Sequence, residues 1–167
     1  RRAARRAAER FDLMAFCLDT NVFVEAHRSR YPIDMAPGFW DALVKAAEKD
    51  LLHSIEAVYD ELAASRAELA AWAKEHNDVL FRKNDDAKTQ AALVELGQFL
   101  NERKPAYRDE AKEAFLAGAD PWLVAYCKAY GHVLVTEEVE APQGVRQVKI
   151  PDVAVARLDP SKTTVPD

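Results

Sequence analysis

Apolar positions along this chain change period repeatedly, and the changes outline strands alternating with helices. Leu13 to Leu18 is a continuous apolar run closed by Asp19, which predicts a buried strand over 13–18. Tyr31 to Asp34 reads as a connecting loop, and Pro37 to Asp50 as a helix with Phe39, Trp40, Leu43, Val44 and Ala47 on its apolar side. Leu51 to His53 is a short strand candidate. Ser54 can cap the helix that follows, whose buried stripe is Ile55, Val58, Tyr59 and Leu62 and which continues, kinked, through Ala73. Asn77 to Asp86 is polar and turn-like; Ala87 to Glu102 and Pro105 to Ala117 are helical, with Trp72, Leu93, Leu96, Phe99 and Phe115 as core candidates. Asp120-Pro121 opens a further helix that Gly131 closes. His132 to Thr136 is a β-branched strand ending at Glu137-Glu138, and Val145 to Ile150 is a further strand candidate. Strands alternating with helices imply a mainly parallel sheet covered on both faces, a three-layer α/β/α arrangement with a helical block in mid-chain.

Composition narrows the function classes. The 167 residues suit one domain, expected over 11–155, with 1–10 as a basic arm and 156–167 as a tail. The net charge is −5, yet five arginines against Glu9 put +4 in the first ten residues and leave −9 on the remainder. An acidic body argues against coating nucleic acid through bulk charge, while leaving room for a metal-loaded acidic site with local basic grips. The apolar stretch behind the basic start, bracketed by Asp12 and Asp19, is shorter than a signal peptide's hydrophobic region requires, and no run approaches the roughly 20 residues of a membrane span. The expectation is a cytoplasmic protein with no membrane partner. Cys17 and Cys127 lack paired ligand spacing and read as buried free thiols.

A carboxylate at the end of a buried strand is costly to desolvate unless it is paired or bound to a cation. Asp19 therefore reads either as a helix cap or as part of a site. Asp19 follows the first strand and Glu138 the later one, so a parallel sheet brings both to one carboxyl edge, where ligands of such sheets gather. Asp120, at a helix start, reads on its own as a cap; Glu61, one turn after Tyr59, reads on its own as a surface acid. Taken together, four carboxylates at one crevice would repel and raise one another's pKa values unless a cation joined them. All-oxygen donors suit Mg²⁺ or Mn²⁺. His27, His53, His76 and His132 show no ligand spacing and are assigned to surface or strand packing.

Four segments then carry a resemblance to the PIN-domain nucleases: Leu18-Asp19-Thr20-Asn21-Val22, Val58-Tyr59-Asp60-Glu61-Leu62, Ala119-Asp120-Pro121-Trp122-Leu123-Val124-Ala125 and Gly131-His132-Val133-Leu134-Val135-Thr136-Glu137-Glu138. With Tyr31-Pro32-Ile33 and Gly38-Phe39-Trp40, the chain over 13–153 resembles a poorly characterised PIN-like family, often named only as a domain of unknown function and related to toxins of the VapC type. The resemblance implies a Rossmann-like α/β/α fold, Mg²⁺- or Mn²⁺-dependent cleavage of RNA, and a toxin role restrained by an antitoxin protein. It makes Asp19 and Asp120 principal metal ligands, Glu61 a ligand directly or through water, and Glu138 the fourth acid where the family usually has aspartate, with Glu137 as its rival. Asn21 and Thr136 would orient carboxylates and waters, and Asp152 is an extra acid approaching from the last strand or a cap after Pro151. Beyond Asp152 the sequence reads as a tail where such a fold would add a helix and a strand, so the sheet is expected to be one strand short, which bears on stability and dimerisation more than on chemistry; a homodimer is among the expected partners.

Arg28 and Arg30, just after the first acid, are the nearest candidates for gripping RNA phosphate, ahead of Arg82-Lys83, Arg103-Lys104 and Arg108. A phosphatase with an aspartyl nucleophile wants a second acid two residues on, and position 21 is Asn; a dinucleotide-binding enzyme wants a glycine-rich turn that is missing. The alternative is a PIN-like protein that has lost metal binding and serves as a partner-binding module.

Overall fold

The computed structural model of the chain describes residues 14–157 and 163–164. The expected basic arm over 1–10 lies outside the described residues. The strands are β1 (Phe16–Leu18), β2 (Leu52–Ile55), β3 (Phe81–Arg82), β4 (Val133–Val135) and β5 (Thr163–Thr164), in the order β3-β2-β1-β4-β5. All four pairings are parallel, and helices cover the sheet as an α/β/α domain. The helices are α1 (Thr20–Glu25), running into a π-helical stretch Ala26–Arg30, α2 (Pro37–Glu48), α3 (Glu56–Ala63), α4 (Ala67–Glu75), α5 (Asn77–Leu80), α6 (Ala87–Glu102), α7 (Asp109–Ala117), α8 (Asp120–Tyr130) and α9 (Ile150–Arg157). None is long and apolar enough to cross a membrane.

The chain leaves β1 toward β2 and β3 on one side and returns to β4 on the other, so the sheet reverses direction between β1 and β4. Crevices form at the carboxyl end of such a reversal. Register fixes what stands there: Leu18 pairs with Val135, and the Asp19 N–H donates to the Val135 carbonyl at 2.9 Å. Asp19 and Thr136 are thus brought side by side. Ser54, from β2, donates its hydroxyl to the Leu18 carbonyl at 2.6 Å and fastens the same end of β1.

Packing explains the regular elements. Cys17, Ile55, Leu123 and Leu134 are fully buried around the sheet, and Cys17 and Cys127 are buried free thiols as expected. In α2 the anticipated apolar side holds, with Trp40 and Ala47 buried and Phe39, Leu43 and Val44 packed on the core. Gly131 ends α8 at φ 70°, the left-handed conformation that glycine adopts at least cost.

Six expectations are corrected. The first strand is shorter than 13–18, and Phe16, at its start, is 49% exposed. Ser54 lies inside β2 rather than capping α3, whose N-cap position is Ile55. The helix expected through Ala73 is two helices, because Ser65 turns both its N–H and its hydroxyl onto the Leu62 carbonyl and closes the first. Asn77 to Asp86 is not a plain turn: Val79-Leu80-Phe81 forms a helical turn and a strand, with Leu80 fully buried and Phe81 packed on Phe23 and Tyr59. Val145 to Ile150 is a loop leading into α9, with Pro151 in the first turn, where its missing N–H has no consequence. The final helix and strand expected to be missing are α9 and β5, so the elements run past residue 155.

Candidate active site

Asp19 sits at the N-cap position of α1 but makes no side-chain cap bond. Its carboxylate turns instead toward β4, where Oδ2 accepts from the Thr136 hydroxyl at 2.8 Å. Oδ1 is buried with no partner, and the residue is 0% exposed. An unpartnered buried carboxylate oxygen is costly, and the pKa reflects it: burial, opposed by the Thr136 hydroxyl and the Thr20 backbone N–H and reinforced by the charges of Glu138 and Glu61, lifts Asp19 to about 6.

The other acids gather from three elements. Glu61, on α3, has Oε2 bonded by the Thr20 hydroxyl and Oε1 by the Ala119 N–H at 2.9 Å. Asp120 opens α8 without capping it, and burial, then the charges of Asp19, Glu138 and Glu61, raise its pKa to about 7 against the lowering effect of Lys149. The four anticipated carboxylates therefore share one electrostatic neighbourhood. Asp19 makes no side-chain cap bond, the cap position of α8 is Ala119 rather than Asp120, and Glu61 is engaged by Thr20 and Ala119 rather than left to solvent.

Glu138 is held firmly. Its N–H donates to the Thr136 hydroxyl at 3.1 Å, Oε1 pairs with Lys149 Nζ at 3.2 Å, and Oε2 accepts from the Ile150 N–H at 2.7 Å. Its rival Glu137 pairs with Arg30 at 3.2 Å, and Arg28 pairs with Glu25 at 2.6 Å. These groups line a cleft of about 590 Å³ with Asn21, Val24, Val139 and Lys149. A second hollow of about 240 Å³, lined by Asp120, Arg146 and Gln147, meets it at Glu138.

Of the two residues expected to orient carboxylates, Thr136 is hydrogen-bonded to one, Asp19. Asn21 faces the cleft, and the neighbouring Thr20 is the residue that orients a carboxylate. Asp152 does not reach the rim from a strand, nor does it cap α9: in that helix's first turn it accepts the Ala141 N–H at 2.8 Å. It pins the loop after β4, as Arg103 does by donating to the Pro142 carbonyl at 2.6 Å. The histidines pack as anticipated, His27 against Trp40 and His53 against His132.

Among the described residues, no three His, Cys, Asp or Glu side chains form a group that could hold a metal ion as they stand. The four acids at one crevice therefore do not converge as a metal-binding group would, an outcome that favours the partner-binding alternative; both oxygens of Glu61 and of Glu138 accept hydrogen bonds within the chain. Asp19 Oδ1 remains without a partner. Of the metal ions, Mg²⁺ and Mn²⁺, which commonly keep several waters and take only one or two carboxylates, would ask the least of such a set.

Thr20, Lys149 and the Ala119 N–H were missed in sequence. Thr20 carried a signal, a hydroxyl beside the first acid; Lys149 carried none, since its reach to Glu138 depends on the loop over 139–149. We expect Thr136→Val to cost about 1–3 kcal/mol by stranding the buried Asp19 carboxylate, read as a lower midpoint in urea unfolding.

Fold and site together define an α/β/α domain with an acidic crevice at the reversal point of a parallel sheet. The family model described as Domain of unknown function (DUF4411) matches residues 16–157, and the chain belongs to that family. No curated protein and no solved structure matches it.

Proposed function

We propose that the protein is a PIN-like, Mg²⁺- or Mn²⁺-dependent ribonuclease that hydrolyses phosphodiester bonds of RNA at the crevice between β1 and β4. The observation that carries the reading is Asp19, wholly buried with one carboxylate oxygen unpartnered and with the charges of Glu138 and Glu61 acting on it. A folded chain tolerates such a group where a cation completes it. Asp19 and Asp120 would hold the ion directly, Glu61 and Glu138 through water. When bound, the ion activates water and offsets charge developing on the phosphate.

The chain's own residues do the rest. Thr136 and Thr20 fix the rotamers of Asp19 and Glu61, and Arg28 and Arg30 stand over the cleft where an RNA backbone would pass. Both arginines are paired with acids at rest, so substrate phosphate would have to compete with Glu25 and Glu137 for them. A toxin role with an antitoxin partner belongs to the same reading, supported by the motif resemblance alone.

The test is incubation of single-stranded RNA with the purified protein and Mn²⁺ or Mg²⁺. Cleavage that EDTA stops is expected. No cleavage under any divalent ion, with the protein folded, would favour a partner-binding module. Expression without an antitoxin should slow growth, as followed by culture density; unaffected growth would remove the toxin role and leave the nuclease reading standing.

A further inference from the structure

Three aromatic side chains stand well exposed among the described residues: Phe16, Tyr31 and Tyr130. Phe16 starts β1 and Tyr130 ends α8 just before β4, so both belong to the amino edge of the sheet, away from the acids. Tyr31 does not. It follows Arg30, which with Arg28 lines the cleft of about 590 Å³, and it caps the π-helical stretch that carries both arginines.

The ring is mounted rigidly. The Tyr31 N–H donates to the Ala26 carbonyl at 2.6 Å and its carbonyl accepts the Trp40 indole N–H at 2.7 Å, so the backbone beneath it is fixed from both sides. One face of the ring lies on Phe39, with centroids 4.3 Å apart and planes 15° apart. Phe39 in turn stands edge-on to Trp40 at 5.5 Å, and Trp40 to Trp72 at 4.6 Å. This row of rings starts in the core and ends in Tyr31, which is 42% exposed. With one face covered by Phe39, the other is left to solvent, and little rotamer freedom remains to be lost when something stacks there.

The neighbouring arginines keep spare donors. Arg28 and Arg30 each give one nitrogen to an acid, Glu25 and Glu137 respectively, and their side chains remain 62% and 44% exposed. A guanidinium carries five N–H donors, so a phosphate can be met by those left over. A flat open ring beside phosphate-binding groups is what single-stranded nucleic acid asks of a protein. An apolar protein surface would cover the ring but strand the guanidinium groups.

We infer that Tyr31 is the stacking platform for an unpaired nucleobase of the RNA, with Arg28 and Arg30 taking phosphates on the cleft side. This rests on the RNA-cleaving reading above and says how its substrate is held. Bases within a duplex are stacked on one another and must be splayed out before the ring can reach them, so the platform selects single strands. The contact asks for no metal ion and can be measured apart from cleavage.

Binding of a short fluorescent single-stranded oligoribonucleotide in EDTA, followed by anisotropy, tests this against a strand of the same length built from abasic units. Tyr31→Ala should weaken binding of the base-bearing strand by on the order of tenfold, the scale of one stacked base, and leave the abasic strand bound as by wild type. Tyr31→Phe, which keeps the ring, should bind both strands as wild type does. Arg30→Ala should weaken both strands alike, because a phosphate contact reads no base. Both backbone anchors of Tyr31 survive the loss of its side chain, so the Ala variant should fold. Equal binding of the base-bearing strand by wild type and Tyr31→Ala, or an equal loss on both strands, would overturn the platform and leave the nuclease reading standing. No binding of either strand by wild type would also overturn it, and cleavage in Mn²⁺ then decides the nuclease reading separately.

Discussion

Asp120→Asn should lose RNA cleavage by on the order of 10³-fold, the scale of a pre-organised electrostatic contribution, and should at the same time make the metal-free protein more stable at pH 8. The opposing signs come from one cause. Asp120 is held at about 7 in the folded chain, by burial first and by three neighbouring acids after it, against an ordinary 3.8. A raised folded pKa means that the native state binds the proton more tightly than the unfolded chain does. Its contribution to stability is complete below about pH 4 and is lost as pH rises through 7. Asp19, raised to about 6, loses its contribution over an overlapping range ending near 6. A tenfold difference in proton affinity between the folded and unfolded states is worth roughly 1.4 kcal/mol. Allowing for the charge interactions the two acids share, the metal-free protein should lose roughly 3–5 kcal/mol between about pH 4 and pH 8.

For a domain of this size that is about 10 °C in Tm, at roughly 2–4 °C per kcal/mol. Differential scanning calorimetry in EDTA at about pH 4 and pH 8 would read it. Wild type should melt lower at the higher pH and recover on adding Mn²⁺, because a bound cation stabilises the ionised acids; Asp120→Asn should show a flatter pH profile and a weaker Mn²⁺ response. A Tm that rises with pH in EDTA would contradict the electrostatic account. Cleavage by Asp120→Asn at the wild-type rate would remove Asp120 from the chemistry.

How much of this was legible in the sequence follows from the range of the interactions involved. Asp19, Asp120 and the strands that carry them are marked by local contrasts, an acid after an apolar run and an Asp-Pro helix start, and order along a parallel sheet is enough to put Asp19 and Glu138 on one edge. Parallel topology and the helical cover followed from the same alternation. What could not be read depends on contacts between distant segments. Lys149 meets Glu138 only because the loop after β4 is tied down by Asp152 at Ala141 and by Arg103 at Pro142. Thr20 outranks Asn21 because α1 leaves β1 at an angle that turns residue 20, not 21, toward Glu61. β3 escaped notice since a two-residue strand, Phe81-Arg82, carries no period, and its strand character comes from pairing with β2 and from Phe81 packing on Phe23.

The aromatic cluster behind the cleft gives the largest purely structural effect: Trp40→Ala should destabilise the protein by about 3–5 kcal/mol, the usual cost of truncating a buried aromatic. Trp40 is 1% exposed. Its ring packs edge-on against Trp72 at 4.6 Å and Phe39 at 5.5 Å, and His27 stands 6.3 Å away. Its indole N–H donates to the Tyr31 carbonyl at 2.7 Å, just past the π-helical stretch that carries Arg28 and Arg30. One side chain therefore fills core volume and anchors the segment that presents both arginines to the cleft. Trp40→Phe keeps most of the packing and removes the hydrogen bond, so about 1 kcal/mol of that loss should be traceable to the indole N–H alone. Urea unfolding of the two variants separates the contributions. In cleavage assays below the melting range, Trp40→Phe should raise KM for RNA more than it lowers kcat, because the arginines are loosened while the acids at the end of β1 are untouched; a fall in kcat with KM unchanged would mean that this segment supports the acids instead.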